Sequence, residues 1–258
     1  MQISNTFSIN LIKFESANLD DLNSFKLQNR VDQKFVFREE QLNSILDEIS
    51  SSYKVLTIEN KQVFKYSTLY FDTPNYVSYF DHHNGKPNRS KIRYRKYENS
   101  GDVFFEIKKK IKGYRTNKFR IPMHEIPNEI GDMEIDLLKS CFMENRNLKP
   151  SIWVNYERIT LVSKDNEERV TIDLNVEYKN EERAFPLERI IIVEVKQPRI
   201  SRTSSILKCL REKQIRETKI SKYSIGVALL NSQIKQNAFG SKLRKIRYLI
   251  DKAWKQAS

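Results

Sequence analysis

Through most of the chain, hydrophobic and polar residues alternate with the two-residue period of half-buried strands. Over 28–38 this pattern predicts a first strand, with Arg30, Asp32 and Lys34 on one face and Val31, Phe35 and Phe37 largely on the other. Leu42, Ile45, Leu46 and Ile49 then recur at helical spacing and predict a short amphipathic helix within 38–52. Segments 63–72, 89–97, 103–112, 115–121 and 151–163 are rich in β-branched and aromatic residues and read as strands, punctuated by Gly85, Pro87, Gly101, Gly113 and Pro122. A helix is expected at 134–143, strands at 169–178 and 187–196, and helices over 201–216 and 224–257. About eight strands result, and their hairpin-like joins favour an antiparallel arrangement.

The polar faces of these strands are charged. Lys91, Arg93 and Arg95 share one face, as do Glu106, Lys108 and Lys110 on the next strand, and Tyr156 shares a face with Arg158. Asp173, Asn175 and Glu177 stand opposite Ile172, Leu174 and Val176, and Glu194 and Lys196 stand opposite Val193 and Val195. A wet outer surface would account for any one of these strands. Helices with apolar stripes must cover the apolar faces, however, which turns the charged faces toward one another. The expected fold is therefore α+β: an antiparallel β-barrel of about eight strands with a polar, basic lumen and helices packed outside. The expected division is an N-terminal extension (1–27), the barrel domain (28–232) and a basic amphipathic C-terminal helix (233–258).

Charge narrows the partners. With 46 Lys and Arg against 33 Asp and Glu the formal charge is +13, which points to an anion. A cation-rich lumen must hold water, counter-charge or an anionic ligand, because each unpaired ion removed from water costs roughly several kcal/mol. Arg forks and Lys ammonium groups suit repeated phosphates, and carboxylates on the same faces suit a hard divalent cation. The six glycines form no phosphate-cradling loop, so side chains would have to grip the phosphates. Cys141 and Cys209 lie far apart without metal-type spacing, and the longest apolar run, 190–193, is too short to span a bilayer, so a cytoplasmic location is expected. The last helix carries an apolar stripe of Phe239, Leu243, Ile246, Ile250 and Trp254 and a basic surface of Lys242, Arg244, Lys245, Arg247, Lys252 and Lys255. Docking onto the outside of the barrel explains the stripe; contact with an anionic membrane or a membrane-protein partner is the alternative. His82 and His83 read as solvated residues of a turn, and Asp72 with Thr73 as a cap on the turn before Pro74.

In order, the chain carries R-V-D-Q-K-F from Arg30, L-Y-F-D-T from Leu69, K-I-R-Y-R-K-Y from Lys91, F-F-E-I-K from Phe104, N-K-F-R-I-P from Asn117, N-Y-E-R from Asn155, V-E-V-K from Val193 and K-I-S-K-Y from Lys219. Over roughly 28–226 this series resembles the VTC domain of the triphosphate tunnel metalloenzyme superfamily. The resemblance implies a tunnel in which Lys34, Arg93, Arg95, Lys108, Lys118 and Arg158 bind phosphate from the walls. Lys219, Ser221 and Lys222 would bind it near one mouth, with Arg89, Arg120 and Lys196 as further contacts. Glu194 would hold Mn²⁺ or Mg²⁺, with Glu106, Asp173 or Glu177 as candidate co-ligands. A related branch opens with Glu-x-Glu-x-Lys, whereas Arg30, Val31, Asp32, Gln33 and Lys34 stand here, which favours the VTC branch. The implied activity is a polyphosphate polymerase that transfers the ATP γ-phosphate to a growing chain, with ATP and inorganic polyphosphate or triphosphate as partners and no nucleic acid. A triphosphatase of the same fold and a non-catalytic polyphosphate- or RNA-binding module are the competing readings.

Overall fold

The structure, a computed structural model, describes residues 11–24, 30–111, 116–143, 147–201 and 203–257. Gln28, Gly113 and the side chains of Lys252, Trp254 and Lys255 lie outside the described residues. Eight strands follow one another across the sheet: β2 (Val31–Arg38), β11 (Ile190–Gln197), β9 (Arg169–Lys179), β8 (Lys149–Ser163), β4 (Phe64–Asp72), β5 (Arg89–Tyr97), β6 (Val103–Lys110) and β7 (Thr116–Met123). All seven pairings along this path are antiparallel. Three short strands the periodicity did not reveal complete the sheet. β1 (Glu15–Ala17) pairs in parallel with β3 (Tyr53–Leu56), β3 also borders β8, and β10 (Ala184–Pro186) extends β9.

The outward faces bury two apolar clusters. Phe35, Phe37, Ile159, Ile172, Val193 and Val195 pack with α2 (Leu42–Ile49) and α5 (Ser205–Glu212). The α2 stripe of Leu42, Ile45, Leu46 and Ile49 is buried as its spacing requires. Leu69, Phe71, Ile92, Tyr94, Phe105 and Ile107 pack with Leu138 of α4 (Asp132–Ser140) and with Cys141 and Met143 beyond it.

The expected barrel is not closed. β2 and β7 stand at opposite ends of the strand order and do not pair. The free margin of β2 is taken instead by residues 217–218: Phe35 bridges to Glu217, and Thr218 N–H donates to Lys34 O at 2.6 Å. The margin of β7 carries Pro122, which has no N–H to give, and the cations Lys118 and Arg120, devices that discourage a further strand. The sheet nevertheless curls, since Lys108 of β6 interacts with Glu194 and Lys34, and Lys118 of β7 with Arg30 and Lys196. It is an open trough with facing walls.

A second correction concerns the helices. α6 (Lys222–Leu230) is buried on every side, with Tyr223, Ile225, Val227, Ala228, Leu229 and Leu230 all inside, the signature of a core helix. It lies within the trough against Val36, Val154, Val176, Tyr178, Ile190 and Ile192, not outside. Gly226 permits this approach: a Cβ there would come within 2.6 Å of the Tyr178 ring and 2.7 Å of Ile152. The helix expected over 224–257 is broken at 231–239, and its second part is α7 (Gly240–Ala257), whose Leu243 and Ile246 join the α6 cluster together with Phe239 just before it. Neither histidine sits in a solvated turn: both end α3 (Val77–His83), His82 Nδ1 lying 2.7 Å from Ser224 Oγ and buried His83 meeting Asn237 Oδ1 at 2.8 Å. Asp72 does cap, accepting from the backbone N–H groups of Thr73, Ser78 and Tyr79 at the start of α3.

Candidate functional site

The inner face changes character along its strands. From the α6 end outward, β11 passes from Ile190 and Ile192 to Glu194 and Lys196, β2 from Val36 to Lys34 and Asp32, and β8 from Val154 and Tyr156 to Arg158. Direct cross-strand pairing then lays charged side chains in rows across the trough. One row links Tyr70, Arg93, Glu106 and Arg120; another links Lys91, Lys108 and Lys118. Lys34 stands opposite Glu194, Arg158 opposite Asp173, and Thr68 opposite Arg95.

Part of this charge is compensated. Arg93 Nε and Nη2 reach Glu106 Oε2 at 2.7 and 2.6 Å, and its Nη1 donates to Tyr70 Oη at 3.1 Å. Arg158 grips Asp173 with two bonds, 2.6 and 2.9 Å, while Lys222 Nζ contacts the same carboxylate. Both oxygens of Glu194 are engaged, by Lys34 Nζ at 3.1 Å and Lys196 Nζ at 2.8 Å. Burial alone would raise these carboxyls, but the cations override it: Glu106 and Asp173 fall to about 2, and Lys196 and Lys34 hold Glu194 well below the carboxylate range.

Another part is not compensated. Lys91 Nζ donates to Ser221 Oγ at 2.5 Å and meets no carboxylate among the described residues; burial and then repulsion from Lys108, Lys34, Arg89 and Arg93 push it well below an ordinary lysine. Lys108 is lowered by burial, and Lys34 and Arg93 add to the effect against the pull of Glu194 and Asp32. Lys118 has a wetter side chain, yet desolvation followed by Arg30, Lys108, Arg93 and Lys196 lowers it to about 7. Thr68 Oγ1, Arg95 Nε and Tyr156 Oη are buried without a hydrogen-bond partner among the described residues. Buried polar atoms are normally satisfied, so this cluster is built for something that brings acceptors. Tyr66 and Tyr156 stack at 5.2 Å between Arg158 (5.2 and 5.0 Å from the two rings), Arg95 (5.6 Å from Tyr66) and Lys222 (5.0 Å from Tyr156). These rings support the cations from the side, while Arg158 and Lys222 also bond Asp173 and the Arg95 Nε has no partner among the described residues.

Lys34, Arg93, Arg95, Lys108, Lys118, Arg158, Lys196 and Glu194 thus converge on one concave face. Ser221 and Lys222 join them at the N-terminus of α6, where Ser221 Oγ also accepts from Ser224 N–H. Three candidates sit apart, and Arg120 is exposed at the outer end of its row. Arg89 bonds Lys86 O at 2.8 Å, and exposed Arg120 lies 4.7 Å over the Phe104 ring. Lys219 is exposed in a separate groove. Glu177 bonds Asn155, because a bulge at Asn175 (φ 49°) adds a residue to β9 and moves Glu177 off the Asp173 face. The sequence places Lys91 and Tyr156 on charged faces without giving them a role in the site, and it singles out neither Thr68 nor Tyr66. Lys91 was legible in its two-residue spacing from Arg93, but the tyrosine stack depends on β4 and β8 being neighbours.

Among the described residues no three His, Cys, Asp or Glu side chains gather as a metal cage. Glu106 and Asp173 are committed to arginines; Glu194, held by Lys34 and Lys196, and Asp32, 2.8 Å from Arg30, remain, and an ion there would take the place of those cations. This donor set fits a Mg²⁺-like ion held by one or two carboxylates and completed by phosphate oxygens.

No curated protein matches the sequence significantly. Similar solved structures include a putative adenylate cyclase from Bacillus halodurans, 12% identical, covering 75% of this chain and 95% of that one at TM-score 0.47. A putative adenylyl cyclase from Hippeastrum, described as having a dominant triphosphatase activity, is 13% identical and covers 76% and 94% at 0.46. A Pyrococcus horikoshii protein is 15% identical and covers 79% and 99% at 0.44. The VTC domain model matches residues 29–231, most of the chain, so this protein belongs to the VTC domain family.

Proposed function

We propose that the protein is a polyphosphate polymerase that transfers the γ-phosphate of ATP to the end of a phosphate chain held along the trough. One observation carries the reading: Lys91, Lys108 and Lys118 stand side by side across three strands with too few carboxylates to neutralise them. Such a row is costly without a ligand and well matched to an anion that presents a charge at every repeat.

In this reading Arg93, Arg95 and Arg158 bind phosphate oxygens through forked N–H donors, and Lys34, Lys91 and Lys108 neutralise charge from the facing walls. The α6 N-terminus, with Ser221 and Lys222, adds backbone and side-chain donors at one end of the path. A terminal oxygen of the chain attacks the γ-phosphorus in line. The bond from that phosphorus to the β-bridging oxygen breaks, ADP leaves, and the chain gains one phosphate. Glu194, with Asp32 beside it, would hold Mn²⁺ or Mg²⁺ together with phosphate oxygens, and such an ion when bound supplies charge neutralisation at the leaving diphosphate. No side-chain nucleophile is needed, since positioning and electrostatic stabilisation do the work.

The test is product analysis after incubation with ATP and Mn²⁺. A ladder of long chains on a polyacrylamide gel is the expected result. Orthophosphate alone would make the enzyme a triphosphatase, and tight binding without turnover would make it a binding module.

A further inference from the structure

Outside the trough, residues 213–219, the start of α7 and the margin of β2 enclose a groove of about 720 Å³. Lys213, Arg216, Lys219, Lys242 and Lys245 line it, against one carboxylate, Glu217. Two of the five are spoken for. Lys245 Nζ holds the strand-like strap by bonding Arg216 O at 3.3 Å and Thr218 Oγ1 at 2.6 Å, and Lys213 pairs with Glu48 at 3.2 Å. Arg216, Lys219 and Lys242 have no carboxylate partner among the described residues. Lys242 lies 5.3 Å from the Phe239 ring and feels the repulsion of Lys219. Lys219 and Lys242 are thus close enough to repel, and Glu217 is the single carboxylate of the lining.

The groove and the α6 end of the trough are neighbours along the chain. Lys219 and Ser221 are two residues apart, so at most about 7 Å of extended backbone separates a groove residue from the one that receives Lys91. His82, bonded to Ser224 at the α6 N-terminus, feels both Lys91 inside the trough and Lys242 in the groove. Positive charge thus continues around the end of α6 from one cavity to the other. A flat bilayer would instead meet the exposed outer side of α7, where Arg244 and Arg247 lie, and could not follow this concave, strap-walled path.

We infer that this groove is a second binding site for linear polyphosphate, holding the stretch of chain that extends past the α6 end of the trough. The inference rests on the proposal that the trough binds phosphate chains, and the two can fail separately. The experiment compares tripolyphosphate, short enough for the trough alone, with long-chain polyphosphate in titrations of the full chain. The variant pair Arg216→Glu with Lys242→Glu should leave tripolyphosphate affinity within about twofold of wild type and weaken long-chain affinity on the order of tenfold. A matched control, Lys208→Glu with Arg211→Glu on α5, changes the net charge equally away from the groove and should affect neither ligand by more than about twofold.

Long-chain affinity that survives the groove variant, or falls equally in the control, overturns the inference. So does a groove variant that keeps polyphosphate but loses binding to phosphatidylserine-containing vesicles, which would assign the surface to a membrane. Should the reversals unfold the protein, Arg216→Ala with Lys242→Ala is expected to show the same selective loss at smaller size. Wild-type protein that binds neither phosphate compound would sink the trough reading itself.

Discussion

Ile92 and Tyr94 of β5 are completely buried under the outer cluster, while Lys91, Arg93 and Arg95, interleaved with them, face the trough. The same backbone therefore serves two opposed purposes. On the outer face each side chain gains free energy by leaving water. On the inner face each unpaired cation loses it, and the loss is recoverable only when an anion arrives. Stability should respond mainly to outer substitutions and ligand affinity to inner ones.

The largest effect that tests this separation is kinetic. Arg93→Ala removes a fork that can bind phosphate oxygens, so turnover should fall on the order of 100- to 1,000-fold, and the melting temperature should fall as well because Glu106 loses the cation that holds it ionised. Comparable turnover by the variant would show that the inner cations are structural. Next comes Phe105→Ala, a fully buried outer residue, which should cost about 3–5 kcal/mol in chemical denaturation and leave tripolyphosphate affinity of the folded fraction unchanged. Lys91→Met has the opposite sign, because a buried cation crowded by four others is replaced by an apolar chain of similar length. The ligand-free variant should gain roughly 1 kcal/mol and lose the thermal shift that tripolyphosphate gives the wild type.

The smallest effect is on pH dependence. Desolvation and neighbouring cations lower Lys118 to about 7 and also lower Lys91 and Lys108 in the folded protein, whereas an unfolded lysine titrates near ~10.4. Above about pH 7 the unfolded chain thus binds more protons than the folded one, and ligand-free stability rises with pH toward ~10. Tripolyphosphate affinity should fall over the same interval as the cations discharge, and calorimetry in buffers of different ionisation enthalpy should detect proton uptake on binding. Stability and affinity that rise together would contradict the assignment of these lysines to the trough.

The sequence carried the strands well wherever one face is apolar, as in β5, β6 and β8, because burial imposes a strict period. It carried the convergence of Lys34, Arg93, Lys108 and Arg158 too, since helices with apolar stripes had to cover the opposite faces. Three things were out of its reach. The bulge at Asn175 shifts the period by one residue, so Glu177 leaves the face that Asp173 occupies. α6 looks like any apolar segment, and only its burial on all sides reveals that it fills the trough. Closure of a sheet depends on its two end strands, and the competition of residues 217–218 for the margin of β2 is a long-range event with no local signature.

That missing seam has a mechanical consequence. No ladder of backbone hydrogen bonds joins the first and last strands, and Lys118 on one side of that gap feels a repulsive pressure from Arg30 and Lys196 on the other. A polyanion laid in lengthwise would relieve that pressure and let the rims draw together without threading a free end. Small-angle scattering should then give a smaller radius of gyration with tripolyphosphate than without it, and an unchanged radius would show that the rims are already held rigidly apart.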